Sequence, residues 1–180
     1  MKLMIASDLH GSAFYCRGLL EAWEKEQADR LLFLGDILYH GPRNDLPQEY
    51  APKEVISMLN AHSGRIFSVR GNCEAEVDQM VLRFPVMADY CLLEAKGRLI
   101  FATHGHTWNL SNPPALSAGD ILLCGHTHIP AKQQENGIFY CNPGSVSIPK
   151  ENSPRGYMVL ENDRFLWKTL DGTVYDSLEL

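Results

Sequence analysis

Arg30-Leu31-Leu32-Phe33-Leu34-Gly35-Asp36 is a short apolar run stopped by a glycine, after which a single carboxylate is presented. A continuous apolar stretch of this length suits a strand buried on both faces of a parallel sheet. Such sheets bind ligands beyond the carboxyl ends of their strands, so Asp36 would stand where a site belongs. Taken alone, Gly35-Asp36 reads more simply as a turn or a helix N-cap. The functional reading therefore depends on whether other strands end in the same way.

Upstream, Leu3 to Ala6 predicts a strand that ends in Ser7-Asp8-Leu9-His10-Gly11. Asp8 and His10 are two apart and share one side of extended backbone. Leu19, Leu20 and Trp23, set among Glu and Lys, predict an amphipathic helix running to about Ala28. A strand, helix, strand unit crosses over right-handed and makes its strands parallel neighbours, which brings Asp8, His10 and Asp36 to one sheet edge. Downstream, Tyr39 to Pro52 holds three prolines and Gly41 and predicts a surface loop that carries His40 and Arg43. Lys53 to Asn60 predicts a helix, and Ile66 to Arg70 a third buried strand ending in Gly71-Asn72-Cys73-Glu74.

Val77 to Leu82 suggests one or two helical turns, after which the texture becomes strand-rich. Val86 to Glu94 and Leu99 to His104 predict strands joined at Lys96-Gly97, the second ending in His104-Gly105-His106. Pro113-Pro114 opens a loop or short helix. Asp120 to Cys124 predicts another buried strand, ending in Gly125-His126-Thr127-His128. Ile138 to Cys141 runs into a tight turn at Asn142-Pro143-Gly144-Ser145, and Tyr157 to Leu160 with Arg164 to Leu170 predicts a terminal hairpin. An alternating first half and a strand-rich second half predict an α/β fold: a layered α/β sandwich of two mixed β-sheets flanked by helices.

The bulk numbers agree with one domain over residues 1–180, since 180 residues with 45% hydrophobic and 21% charged side chains suffice for a sizeable core. A formal net charge of −6 argues against nucleic acid as a partner, because affinity for its backbone comes from clustered Lys and Arg. The five cysteines are odd in number, scattered and free of any Cys-x-x-Cys pair, as in a reducing compartment. The first apolar run is too short for a signal-peptide core. No run approaches the roughly 20 apolar residues of a membrane helix. A cytoplasmic setting without a membrane partner is expected.

Five predicted strands thus end in Asp8-x-His10, Gly35-Asp36, Gly71-Asn72, His104-x-His106 and His126-x-His128, and five of the seven histidines fall inside these clusters. Glycine permits the sharp turn and close approach that aim such groups inward. Carboxylate, imidazole and amide oxygen suit manganese, iron, zinc or similar ions, with no thiolate to demand a soft metal. Seven such donors exceed the needs of one ion and suffice for two if one carboxylate bridges.

The joint pattern Asp-x-His, Gly-Asp, Gly-Asn, His, Gly-His-x-His resembles the calcineurin-like binuclear metallophosphoesterases, with all five blocks in the family's order between Asp8 and His128. With Asn142-Pro143-Gly144-Ser145, the chain looks like the small bacterial and archaeal phosphodiesterase branch. The resemblance implies two divalent ions per chain, manganese first, with iron, zinc, nickel or cobalt as alternatives. One would be held by Asp8, His10, Asp36 and His128 and the other by Asp36, Asn72, His104 and His126, with Asp36 bridging. It implies hydrolysis of small organic phosphodiesters by in-line attack of a metal-bridging hydroxide, with Asp36, Asn72, Cys73 and His106 in the catalytic group. Many relatives carry His where this chain has Cys73, a weaker donor, which favours diesters with good leaving groups; a small buried residue filling a turn is the equal alternative. His106, outside the implied ligand set, is assigned to phosphate contact or support of the ligands. Arg70 and Arg43 are candidate phosphate contacts, with surface or structural roles more ordinary for both. The alternative from another class is a protein-interaction scaffold with a vestigial metal site, as in the metallophosphoesterase-like subunit of the retromer coat. A homo-oligomer is compatible with this reading.

Overall fold

The computed structural model describes residues 1–180. The chain begins with strand β1 (Leu3–Ala6), helix α1 (Ala13–Glu26) and strand β2 (Arg30–Phe33). Helix α2 (Pro52–Asn60), strand β3 (Ile66–Ser68) and helix α3 (Glu76–Val81) follow. Then come β4 (Tyr90–Ala95), β5 (Arg98–Thr103), β6 (Ile121–Leu123), β7 (Pro130–Glu135) and β8 (Ile138–Pro143). The chain closes with β9 (Gly156–Glu161), β10 (Arg164–Thr169) and β11 (Val174–Glu179).

A six-stranded sheet has the order β11-β10-β9-β1-β2-β3 and a five-stranded sheet the order β4-β5-β6-β8-β7. Both are mixed. β1, β2 and β3 are parallel neighbours, as are β5, β6 and β8, while β9, β10 and β11 in the first sheet and β4 and β7 in the second pair antiparallel. The predicted sandwich of two mixed sheets is therefore the architecture found.

Alternation along each central strand assigns the layers. Leu3 and Ile5 of β1, Leu32 of β2, Ile100 and Ala102 of β5, and Ile121 and Leu123 of β6 share the core between the sheets. Met4, Ala6, Leu31 and Phe33 face outward onto Leu19 and Trp23 of α1 and Val55 and Leu59 of α2. The helices flank only this sheet. The outer face of the five-stranded sheet, with Phe101, Leu122 and Tyr140, is covered by Trp108, Leu110 and Leu116 from the loop after β5. Pro113-Pro114 accordingly forms part of a loop and not a helix. Trp167 of β10 donates from Nε1 to the Asn142 carbonyl at 2.7 Å and so pins one sheet to the other.

Several boundaries differ from expectation. The deciding strand β2 ends at Phe33, although Leu34 N still donates to the Ala6 carbonyl at 2.8 Å. The fourth strand starts at Tyr90 and not at Val86, because Val86 leaves the sheet to join the core under the helices. β7 and β11, both edge strands dominated by exposed side chains, have no counterpart in the sequence reading. Asn142-Pro143 extends β8 and the turn begins only at Gly144.

Candidate metal centre

The tails of β1, β2, β3, β5 and β6 bring their polar residues to one edge of the sandwich. The β1 and β2 tails keep contact by backbone bonds from Asp8 N to Gly35 O at 3.2 Å, His10 N to Asp36 O at 2.9 Å and Gly11 N to Ile37 O at 2.8 Å. Gly35 must be glycine twice over: its φ is 92°, and a Cβ there would stand 2.5 Å from Gly71 N. Gly71 reciprocates, since its own Cβ would fall on Asp36 Oδ1. These two glycines let β2 and β3 converge.

Asp8, His10, Asp36, His126 and His128 all have left-handed backbone, with φ between 50° and 68°. That conformation costs a side-chain-bearing residue about 1–2 kcal/mol. Five such residues aimed at one point are a concentration of strain typical of functional sites.

Three of the histidines are oriented before they meet the centre. His10 Nδ1 donates to the Tyr39 carbonyl at 2.7 Å, His104 Nδ1 to Leu34 at 2.6 Å and His128 Nδ1 to Ile148 at 2.8 Å. A carbonyl can only accept, so these bonds put a proton on Nδ1 and leave each Nε2 as the ring atom that faces the centre. The three Nε2 atoms point inward. His10 and His128 Nε2 lie 3.3 Å apart and stand 3.7 and 3.3 Å from Asp8 Oδ1. His104 Nε2 lies 3.1 Å from Asn72 Oδ1 and 3.1 Å from His126 Nδ1.

The carboxylates are divided in the same way between structure and site. Asp8 Oδ2 accepts from His126 N at 3.0 Å, whereas the buried Oδ1 has no hydrogen-bond partner. Asp36 Oδ1 accepts from Cys73 N at 2.9 Å, while Oδ2 stands 3.6 Å from His10 Nε2 and 3.5 Å from His104 Nε2. One oxygen of Asp36 thus faces both halves of the cluster.

The electrostatics call for positive charge. Burial alone would raise the Asp8 carboxyl, yet the His10 and His128 imidazoles hold it well below the usual range. Burial opposes ionisation of Asp36 as well, and His104 overcomes it. Burial likewise disfavours a charged His104, but Asp36 and Asp8 lift it to about 9, so this imidazole serves as the cation the carboxylates require. Burial and the charge of His104 push His126 down to about 4, leaving it neutral at pH 7. A buried acceptor without a donor, converging imidazole nitrogens and depressed carboxyl pKa values are what a cation site needs. The donor set fits divalent ions.

Every residue singled out in the sequence lies at this edge, though not all converge. His106 is exposed, its ring centroid 5.4 Å from that of His104 and 6.3 Å from that of His126. Cys73 comes nearer than its sequence position suggested: its Sγ lies within 4.8 Å of ligand atoms of His10 and Asp36. Burial and the Asp36 charge raise its thiol far above the ordinary range. Arg43 lines the cavity over Asp36, whereas Arg70 does not.

Sequence reasoning missed the supports. Glu74, buried, accepts from Asp36 N at 2.9 Å, Ile37 N at 2.7 Å and Gly71 N at 2.5 Å, and so staples the β2 tail to the β3 tail. The signal was an acid three residues after a strand-ending glycine. Ser145 and Ser147 donate from Oγ to the Asp8 carbonyl at 2.8 and 3.1 Å and tie the β8 tail to β1. Ser145 was legible only as the last residue of the Asn142-Pro143-Gly144-Ser145 turn, and nothing local in the sequence marks Ser147.

The sequence matches the calcineurin-like phosphoesterase superfamily domain over residues 1–164. The phosphodiesterase YfcE of Escherichia coli is 48% identical over 163 residues, covering 91% of this chain and 89% of its own. A solved structure of YfcE, described as a phosphoesterase, superimposes with a TM-score of 0.94 at 45% identity over 99% of this chain and 98% of that one. YsnB of Bacillus subtilis, a probable metallophosphoesterase, is 26% identical over 173 residues, 91% of this chain and 86% of its own. Vps29 of Entamoeba histolytica, solved with zinc, shares the fold with a TM-score of 0.58 at 19% identity over 99% of this chain and 98% of that one.

Proposed function

The chain belongs to the calcineurin-like phosphoesterase superfamily, and we propose that it hydrolyses small organic phosphodiesters at the edge where Asp36 stands. The observation that carries the reading is the buried Asp8 Oδ1, without a hydrogen-bond partner and faced by the Nε2 atoms of His10 and His128. Membership implies divalent metal. In the proposal two ions are held, one by Asp8, His10, Asp36 and His128 and the other by Asp36, Asn72, His104 and His126, with manganese as the working metal. The position of Asp36 Oδ2 between His10 and His104 supports its bridging role. Bound ions of this kind supply Lewis-acid charge that clamps a phosphoryl group and makes water nucleophilic at neutral pH.

The remaining work falls to the chain. The carbonyls of Tyr39, Leu34 and Ile148 hold three imidazoles in the ligating tautomer. Glu74 keeps Asp36 and Asn72 in register through the backbone. Cys73 retains its proton on Sγ and is a weak hydrogen-bond donor, so departure of the leaving group depends on its own stability. His106, exposed beside His104, is assigned to phosphate contact. Residues 1–180 act as one domain, since both sheets share the middle core. A cytoplasmic setting is supported by five free cysteines; no helix is long and apolar enough to cross a membrane. The net charge of −6 supports a small-molecule diester over nucleic acid. The complete, converging donor set favours an enzyme over a scaffold with a vestigial site.

Turnover of bis-p-nitrophenyl phosphate and p-nitrophenyl phosphate by purified protein across a panel of divalent metals tests the reading. Faster turnover of the diester, greatest with manganese, is expected. Preference for the monoester, or hydrolysis that survives chelation of metal, overturns it.

A further inference from the structure

The cavity over Asp36, about 390 Å³, has a second wall that the metal-binding reading leaves unused. Arg43, from the segment between β2 and α2, and Lys150, from the segment after β8, both line it. Neither side chain forms an ion pair or a hydrogen bond; the ion pairs of this chain's lysines and arginines involve Lys2, Arg17, Lys132, Arg164 and Lys168. The only carboxylate lining the cavity is Asp36, which is engaged with the imidazoles. In a molecule of net charge −6, this wall therefore reverses the prevailing sign.

Both cations stand on segments that are held against the site. Lys150 N donates to the His128 carbonyl at 3.2 Å, and Ser153 clamps the Lys150 carbonyl from its own N at 3.0 Å and from Oγ at 2.6 Å. The Arg43 segment is folded on itself by Asn44 Nδ2 donating to His40 O at 2.8 Å. It packs so closely on Cys73 that a Cβ at Gly41 would lie 3.4 Å from the sulfur. Two segments thus hold uncommitted cations beside the ligands.

A phosphodiester carries one negative charge at the reacting phosphorus, and the proposed metal ions already answer it. A planar guanidinium and a flexible ammonium beyond that point match a second phosphate-class group, which arginine grips through two parallel N–H bonds. We propose that Arg43 and Lys150 bind a further anionic group on one arm of the substrate, so that the preferred diesters carry a phosphate in addition to the scissile one. This inference rests on the phosphodiesterase reading above.

The test uses manganese-loaded protein and two chromogenic diesters that differ in one group: thymidine 5′-(p-nitrophenyl phosphate) and the same compound with a 3′-phosphate. The ratio of their kcat/KM values is the readout. Wild type should favour the phosphorylated diester, mainly through KM, and each of Arg43→Ala and Lys150→Ala should lower the ratio about fivefold, as for partly exposed ion pairs. Arg43→Lys should restore part of the loss, and rising salt should erode the preference. A wild-type ratio near unity, or a ratio unmoved in the double variant, overturns the inference. Binding of thymidine 3′,5′-bisphosphate against thymidine 5′-monophosphate, by equilibrium dialysis with the same proteins, separates the two claims. A bisphosphate preference that is lost in the double variant while no diester is turned over upholds the anion grip and sinks the reaction. Turnover without such a preference sinks the grip alone.

Discussion

Removing the Glu74 carboxylate should loosen the whole site without touching a ligand. Its three backbone donors, Asp36 N, Ile37 N and Gly71 N, are buried with it and have no other acceptor within the staple. A buried N–H without a partner costs about 1–3 kcal/mol. Water admitted by Glu74→Ala recovers part of that, and so does relief of a carboxyl whose pKa is raised by burial and by the Asp36 charge. The expected net loss is about 3–5 kcal/mol, comparable to breaking one partner out of a buried charged pair. This lowers Tm by roughly 2–4 °C per kcal/mol in a chain of this size. Glu74→Gln should be milder. Its amide oxygen replaces Oε2, which serves Asp36 N and Gly71 N, while its NH₂ confronts Ile37 N in place of Oε1. One bond is lost, about 1–3 kcal/mol. Because the released segments carry Asp36 and Asn72, manganese affinity should fall about 10- to 100-fold in both variants. Urea unfolding of the metal-free protein and a metal titration measure the two effects. A Glu74→Ala protein within 1 kcal/mol of wild type with unaltered manganese affinity would refute the reasoning, and so would a Glu74→Gln protein less stable than Glu74→Ala.

Asp36→Asn should reduce bound manganese at both positions, because one carboxylate oxygen faces both imidazole groups; elemental analysis that finds one ion fully retained contradicts the bridging role. Gly71→Ala forces a Cβ onto Asp36 Oδ1 and should destabilise by about 3 kcal/mol or more, read as a fall in Tm, with an unchanged melt disproving the close approach. Glu26, at the end of α1, pairs with Lys168 and Lys2 and accepts from the Tyr157 hydroxyl at 3.0 Å. Burial would raise its carboxyl, but these partners hold it below the ordinary range. Its stabilisation is therefore present at pH above the unfolded value and fades as pH falls through the depressed folded one. Glu26→Gln should lower Tm by about 2–4 °C at pH 7, for a partly solvated pair worth about 1 kcal/mol. The gap should close on acidification below the usual glutamate pKa; a gap constant with pH argues against an ionised Glu26.

What was legible in the sequence is what local chemistry encodes. β1, β2 and β6 are apolar runs, and the parallel pairing of β1 with β2 follows from the helical crossover between them. β7 and β11 were illegible because Pro-Ala-Lys-Gln-Gln-Glu and Val-Tyr-Asp-Ser-Leu-Glu bury little. They are strands only because β8 and β10 offer them unpaired backbone. Val86 illustrates the converse: an apolar residue in a strand-like run was claimed by the helix layer.

The candidate donors can be read from the residues alone, since each follows a predicted strand and most sit beside a glycine, and strand ends in a parallel sheet share an edge. The sequence could not determine which atom of each donor is free. That Asp8 spends Oδ2 on His126 N and keeps Oδ1 bare, and that three imidazoles spend Nδ1 on the carbonyls of Tyr39, Leu34 and Ile148, depends on backbone groups 20 to 118 residues away. Backbone donors and acceptors are the same at every position, so no residue type announces them. Only the packed tertiary structure decides which of them meet, and with that decision Asp36 changes from a turn residue into the oxygen shared by both halves of the site.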